Sequence, residues 1–340
     1  MSVYLELQHL SKIFGHRAGD GLDAMHQGMT KSALLETSGH VLGVYDASLQ
    51  ISRGELFVIM GMSGSGKSTL LRMINRLVTP TSGKVLLDNV EVTAMAEHEL
   101  VDLRRRRVSM VFQSFALMPH LNVIENVMFG LRNAGVDRQE ARRRARDMLK
   151  RVGIEEVAEH YPAQLSGGMQ QRVGLARAWV TESDLMLMDE AFSALDPLIR
   201  TDMQTALLEL QQRDRRTIVF VSHDLTEAVR IADRIAVMAE GSIRQVGTAA
   251  EIIHNPADDY VRAFFRDVQA GKLLTAGDIA DADLFATGAE PVAASSLLED
   301  ILPRAAASDV PFPVADEDGK IVGAIDRARL LQALAGRGSS

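Results

Sequence analysis

The run GMSGSGKST, Gly61–Thr69, has the residue types and spacing of a phosphate cradle. Gly61, Gly64 and Gly66, with Met62, Ser63 and Ser65 between them, let the backbone curl until its N–H groups converge on phosphate oxygens. Lys67 then reaches the β- and γ-phosphates, Ser68 offers a hydroxyl to Mg²⁺, and Thr69 carries the chain into a helix. The alternative is a glycine-rich turn with an exposed lysine. The apolar strand pattern at Leu56–Met60 before the loop, and the helical pattern after it, favour an ATP or GTP site.

Two further segments fit the same chemistry. LMLMDE, residues 185–190, is an apolar strand ending in two carboxylates, which belong at the carboxyl edge of a sheet, beside the loop. Adjacent residues diverge, so Asp189 suits the Mg²⁺ shell, through water, and Glu190 suits polarising the water that attacks the γ-phosphate. VFVSHD, residues 219–224, brings His223 to a strand end, where it is either structural or a sensor of the γ-phosphate. Gln113 closes the Val108–Phe112 strand, a weaker signal by itself. LSGGMQQR, residues 165–172, poses a different problem. Ser166, Gly167 and Gly168 leave backbone amides uncovered where a helical run begins, which makes a second anion site 99 residues after Lys67.

Positioning these groups requires a particular architecture. The runs Leu56–Met60, Val108–Phe112, Leu185–Met188, Ile218–Val221 and Ile235–Met238 read as buried strands, with helices at Lys67–Arg76, Arg138–Val152, Pro197–Arg213 and Leu225–Ala232 between most of them. That alternation predicts an α/β fold with a largely parallel sheet covered on both faces. Residues 114–180 carry helical patterns without a strand, and residues 16–43 interrupt a two-stranded opening with a short helix at Met29–Thr37. Within 340 residues there is room for a large α/β domain plus an appendage. The formal charge of −8 speaks against a nucleic-acid partner, and the absence of cysteine removes disulfides and thiolate chemistry. Without a secretion-signal pattern or an apolar run of spanning length, the sequence reads as a soluble chain able to sit on a membrane partner. Arg104–Arg107 and Arg142–Arg144 read as solvated helix faces or as a surface complementary to a partner's acidic loop.

In its order of motifs the chain resembles an ATP-binding-cassette (ABC) ATPase over residues 3–265: GMSGSGKST, Gln113, LSGGMQQR, LMLMDE, SALD at 193–196, and His223. The resemblance implies a P-loop NTPase cassette with an antiparallel β-subdomain, a helical subdomain at about 114–180 and a family-type insert at 16–43. It implies ATP and Mg²⁺ as ligands. Glu190, His223 and Gln113 would serve catalysis, and Ser68, Gln113 and Asp189 the metal. Ser166, Gly167, Gly168, Gln170 and Asp196 would face ATP held by a second copy in a head-to-tail homodimer. An aromatic residue upstream stacks on adenine in this family; Phe14 and Tyr45 are the two candidates.

The short spacing of the motifs, the single cassette and the lack of fused membrane helices resemble an importer subunit, peripheral on the cytoplasmic face of the inner membrane. It would work with integral-membrane permeases and, indirectly, a periplasmic or lipid-anchored substrate-binding protein. SFALMPHLNVIENV, residues 114–127, resembles the segment that docks on a permease. Its Phe115, Leu117, Met118 and Leu121 would fill a groove there or belong to the subdomain core. IMGMSGSGKSTLLRMINRL, VFQSFALMPHLNV, the 16–43 insert and the tail resemble the glycine betaine/proline/choline type. Other cargo, or a nucleotide-sensing role without a permease, are the alternatives. Residues 266–340 form a tail that holds, from residue 271, eleven acidic against six basic residues, an argument against docking on anionic lipid. Its residues 292–335 resemble one cystathionine-β-synthase (CBS) motif in a small α+β domain. Asp326 and Arg329 stand where that motif has a hydroxyl and an aspartate, so a dimerisation role is expected rather than nucleotide sensing.

Overall fold

The computed structural model describes residues 2–113, 116–266, 274–284, 286, 289–307, 310–316 and 318–334. Its elements are β1 (Val3–Phe14), α1 (Ala18–His26), α2 (Lys31–Ser38), β2 (Val41–Ser52), β3 (Leu56–Met60), α3 (Lys67–Ile74), β4 (Ser82–Leu87), β5 (Val90–Glu91), α4 (Glu97–Arg106), β6 (Val108–Val111), α5 (Val123–Asn133), α6 (Arg138–Arg151) and α7 (Gly167–Trp179). There follow β7 (Leu185–Asp189), α8 (Pro197–Asp214), β8 (Thr217–Ser222), α9 (Leu225–Ile231), β9 (Arg234–Ala239), β10 (Ser242–Gly247), α10 (Ala249–His254), α11 (Asp259–Phe264), α12 (Ala276–Ile279), β11 (Val292–Ala293), α13 (Leu298–Ala307), β12 (Phe312–Ala315), β13 (Ile321–Ile325) and α14 (Arg327–Leu334). The chain packs as two compact units, Met1–Asp224 with Ala236–Ile243, and Leu225–Ile235 with Arg244–Ser340. No helix among the described residues is long and apolar enough to cross a membrane.

The apolar runs become strands because their side chains are enclosed on both faces: every residue of β3, β7 and β8 is buried. The larger sheet has the order β10-β9-β3-β8-β7-β6, and β3, β8, β7 and β6 are mutually parallel. A four-stranded sheet, β2-β1-β4-β5, is antiparallel where β1 meets β2 and β4. Helices α5, α6 and α7 pack on one another and, within the 114–180 stretch expected to lack a strand, none interrupts them among the described residues. Asn122 caps α5 in a box with Glu125, and the buried Asn126 amide donates to the carbonyls of Met118, Leu121 and Asn122, fixing the preceding loop. Leu117, Met118 and Leu121 are half-buried there; Phe115 lies outside the described residues.

The insert holds two helices rather than one. The predicted 29–37 helix is α2, and α1 is an addition. Two glycines hide α1 from propensity arguments, yet Gly21 is there for packing: a Cβ on it would lie 2.9 Å from Ile13 Cγ2. Leu22 and Leu34 close over Ile13 and Leu42 in a small core of their own.

The two arginine runs fit the solvated-face expectation in part: Arg105, Arg106, Arg142 and Arg143 are exposed. Arg104 donates to the carbonyls of Asn75 and Arg76, Arg107 to Tyr4 and Asp88, and Arg144 to the Val180 carbonyl beside Glu182. These three side chains tie elements together.

In the second unit, β11 runs parallel to β12 and β12 antiparallel to β13, around Leu298, Val314, Ile325 and Leu330. The link from β12 to β13 is anchored by Asp316, which accepts from the amides of Asp318 and Lys320; Glu317 lies outside the described residues. Asp326 accepts from the Arg329 amide at the start of α14, while Arg329 reaches Ile279 O at 2.6 Å and Asp281 at 2.7 Å. The two residues that depart from the CBS pattern therefore serve helix capping and packing.

Candidate functional site

Parallel register assembles the site. Met60 pairs with Ser222, Asp189 with Val221, and Val111 with Met188, so the next residues along these strands emerge together at the carboxyl edge. Those residues are Gly61, His223, Glu190 and, two beyond Val111, Gln113. Gln113 is exposed there.

The loop 61–69 is built for close approach. A Cβ on Gly61 would lie 2.2 Å from Met238 O, and one on Gly66 2.2 Å from Gly43 O; both glycines also have positive φ. A Cβ on Gly64 would meet nothing within 4 Å, so the loop is open on that side. Lys67 is buried and donates to Gly61 O at 2.8 Å and Met62 O at 2.9 Å. Burial pushes its pKa down, against the pull of Glu190 and Asp189. The buried Ser65 Oγ has no hydrogen-bond partner. An orphan hydroxyl, bare glycines and a desolvated ammonium fit a chain of phosphates.

Asp189 is buried and fully engaged. Ser68 Oγ donates to its Oδ1 at 2.6 Å, and Arg72 Nη2 to its Oδ2 at 3.0 Å. Arg72 is the residue sequence reasoning missed. Its signal was its place one turn after Ser68 on the same face of α3. Glu190 takes a left-handed backbone, φ 45°, which turns its side chain away from Asp189's path. Its amide donates to Val221 O at 3.1 Å, and its Oε2 lies 3.1 Å from His223 Nδ1. The two carboxylates thus diverge as expected. Among the described residues no three His, Cys, Asp or Glu cluster as a metal cage.

Phe14 ends β1 beside this loop. A Cβ built on Gly43 would lie 2.7 Å from Phe14 Cε2 and 3.2 Å from Thr69 Cγ2, so ring and helix border the same gap. The ring is 40% exposed. Tyr45 instead packs into the insert, its hydroxyl donating to Met25 O at 3.5 Å and its ring beside His26.

LSGGMQQR lies elsewhere in the same unit. Ser166 caps α7, accepting from Met169 N, and α7 packs on α5, α6, α8 and β6. Ser166 and Gly167 are exposed, and a Cβ on Gly168 would press on Ile199. Gln170 donates to the carbonyls of Pro162 and Leu165 and so shapes the turn. Asp196 caps α8 by accepting from Ile199 N, and Ser193 Oγ reaches back to Glu190 O. A concavity of about 690 Å³ lies away from these motifs, lined by Arg151, Trp179, Asp214, Arg216 and Thr217, at the opposite edge of the sheet.

Strand, cradle and helix, with two divergent carboxylates at the end of β7, one strand removed across β8, define a phosphate-loop nucleotide-binding protein. Residues 44–193 match the family described as ABC transporter. The chain is 55% identical, over 82% of its length and 70% of the relative's, to the glycine betaine/proline betaine transport system ATP-binding protein ProV of Escherichia coli. It is 40% identical, over 98% of both chains, to the trimethylamine N-oxide transport system ATP-binding protein TmoW of Pelagibacter ubique. Among solved structures, the dimeric ATP-binding cassette MJ0796 with ADP and Pi superposes with a TM-score of 0.61 at 32% identity, covering 72% of this chain and 98% of that one. The chain belongs to the ABC transporter family, and its fold is that of the ATP-binding cassette.

Proposed function

We propose that this chain hydrolyses ATP at the interface of a homodimer and drives a separate membrane permease that imports a glycine betaine-type osmolyte. The observation that carries the ATPase reading is the row at the carboxyl edge, where Ser68 meets Asp189 and Glu190 meets His223 beside the loop. In it, Lys67 and the loop amides hold the β- and γ-phosphates, and Ser68, Asp189 and Gln113 would hold Mg²⁺, which would neutralise phosphate charge. Glu190, fixed by His223, orients a water towards the γ-phosphorus and takes up its proton as the bond to the β-phosphate oxygen breaks. Exposed Ser166, Gly167 and Asp196, with the half-buried Gly168, close the neighbour's site. The exposed apolar Met62 and Leu198, at 62% and 73%, lie in the loop and just after Asp196, where a second copy would cover them. We assign 3–265 to the cassette and 266–340 to a regulatory or dimerisation tail, with the protein peripheral on the cytoplasmic membrane face.

Phe14 takes the adenine. Phe14→Ala is expected to weaken ATP binding about tenfold, while Phe14→Tyr stays near the parent, as titration with MgATP measures. If Tyr45→Ala has the larger effect, the stacking residue is misassigned.

The cargo rests on the 55% identity to the glycine betaine/proline betaine protein. Alignment over 98% of both chains with the trimethylamine N-oxide protein favours a second reading with a related methylated amine. Uptake of labelled glycine betaine, choline, proline and trimethylamine N-oxide, with and without this chain, separates them. Loss of glycine betaine uptake supports the first reading. Loss of trimethylamine N-oxide uptake alone selects the second, and loss of none removes the transport role.

A further inference from the structure

The insert carries one contact that the cassette motifs do not account for. Lys31, the first residue of α2, extends its Nζ to Gly64 O in the phosphate loop, at 3.0 Å. Among the described residues no carboxylate pairs with it, in contrast to Arg72, which Asp189 neutralises. Its position is fixed from behind. Leu34, one turn on, is fully buried against Ile13, Leu22 and Leu42. Thr30 accepts from Ala33 N, and His40, after the helix, bonds Ser38 Oγ and His16 O at 2.7 Å each. The insert is thus a folded cap on β1 and β2, and it brings an uncompensated ammonium to a carbonyl of the phosphate loop. Lys67 holds Gly61 O and Met62 O from within, so two lysines from distant parts of the sequence bracket one loop.

We propose that Lys31 is a second phosphate-binding lysine of the nucleotide site, which exchanges the Gly64 carbonyl for the terminal phosphate of a nucleoside triphosphate. A phosphate oxygen is the stronger acceptor, because a charge-assisted hydrogen bond exceeds one to a neutral carbonyl. The residue therefore discriminates triphosphate from diphosphate and makes the insert part of the site. This inference rests on the ATP reading of the loop.

The test compares the full-length parent, Lys31→Met, Lys31→Arg and Lys67→Met in titrations with MgATP and MgADP at two salt concentrations. The proposal expects Lys31→Met to weaken ATP binding about five- to tenfold and ADP binding less than twofold, with a shallower salt dependence for ATP. Lys31→Arg keeps ATP affinity within about twofold, since the charge remains. Unchanged ATP affinity in Lys31→Met overturns it. Equal losses for ATP and ADP also overturn it, because they mean that Lys31 only braces the loop. The two readings fail separately: if the parent binds no ATP, or Lys67→Met binds it normally, the nucleotide site itself is wrong. If those controls behave and Lys31→Met matches the parent, only the role of Lys31 falls. A thermal unfolding midpoint for each variant shows that losses do not come from misfolding.

Discussion

Glu190→Gln is expected to lower steady-state ATP hydrolysis by at least about a hundredfold, while ATP binding stays within about twofold of the parent. The amide is nearly isosteric and still offers an oxygen to His223 Nδ1, so the 3.1 Å contact and the turned backbone at φ 45° are retained. What disappears is a carboxylate able to orient the attacking water and accept its proton. Lys67, Ser68 and Asp189 are untouched, so the ground-state complex persists and accumulates. A coupled phosphate-release assay beside an ATP titration measures both halves. Turnover near the parent's value would remove Glu190 from the reaction.

Lys67→Met is the second large effect, with ATP affinity expected to fall by at least about a hundredfold. Two charge-assisted phosphate contacts at about 1.5 kcal/mol or more each are lost from an enclosed site. Stability should move far less. The ammonium now suffers a desolvation cost that lowers its pKa, and its removal relieves that cost while taking donors from Gly61 O and Met62 O. Those opposing changes leave the unfolding midpoint close to the parent's. Chemical denaturation alongside the titration separates the two, and parallel losses of stability and binding would make Lys67 a structural residue first.

How much of this was legible in the sequence follows from where the information sits. β3, β7, β8 and β9 were readable because a strand enclosed on both faces needs an unbroken apolar run, and each has one. The loop and the carboxylate pair were readable because their chemistry depends on neighbours in sequence. α1 was not, since Gly19 and Gly21 oppose helix by propensity, and the close packing on Ile13 and His40 that explains Gly21 comes from the fold. In the tail, β11 has two residues and β12 contains Pro313, so neither shows an alternating pattern of useful length. Contacts such as Arg72 with Asp189, 117 residues apart, and Lys31 with Gly64 come from the fold alone. The same holds for Arg104, Arg107 and Arg144, whose charges looked free in sequence and prove to be tied to carbonyls and carboxylates.

The proposed function turns on two segments of one chain, 61–69 and 165–172, whose sequences suit anion binding. Ser166 and Gly167 stand exposed on α7, a helix packed on α5, α6, α8 and β6, and their exposure is explained when a second copy supplies the nucleotide. The most direct test is the mass in solution of the Glu190→Gln chain with and without MgATP, with Ser166→Arg added in a second variant. The account predicts a shift from one chain to two on adding ATP, and a Ser166→Arg form that binds ATP with parent affinity yet stays a single chain. An ATP-saturated Glu190→Gln protein that remains monomeric, or a Ser166→Arg monomer that no longer binds ATP, would contradict it.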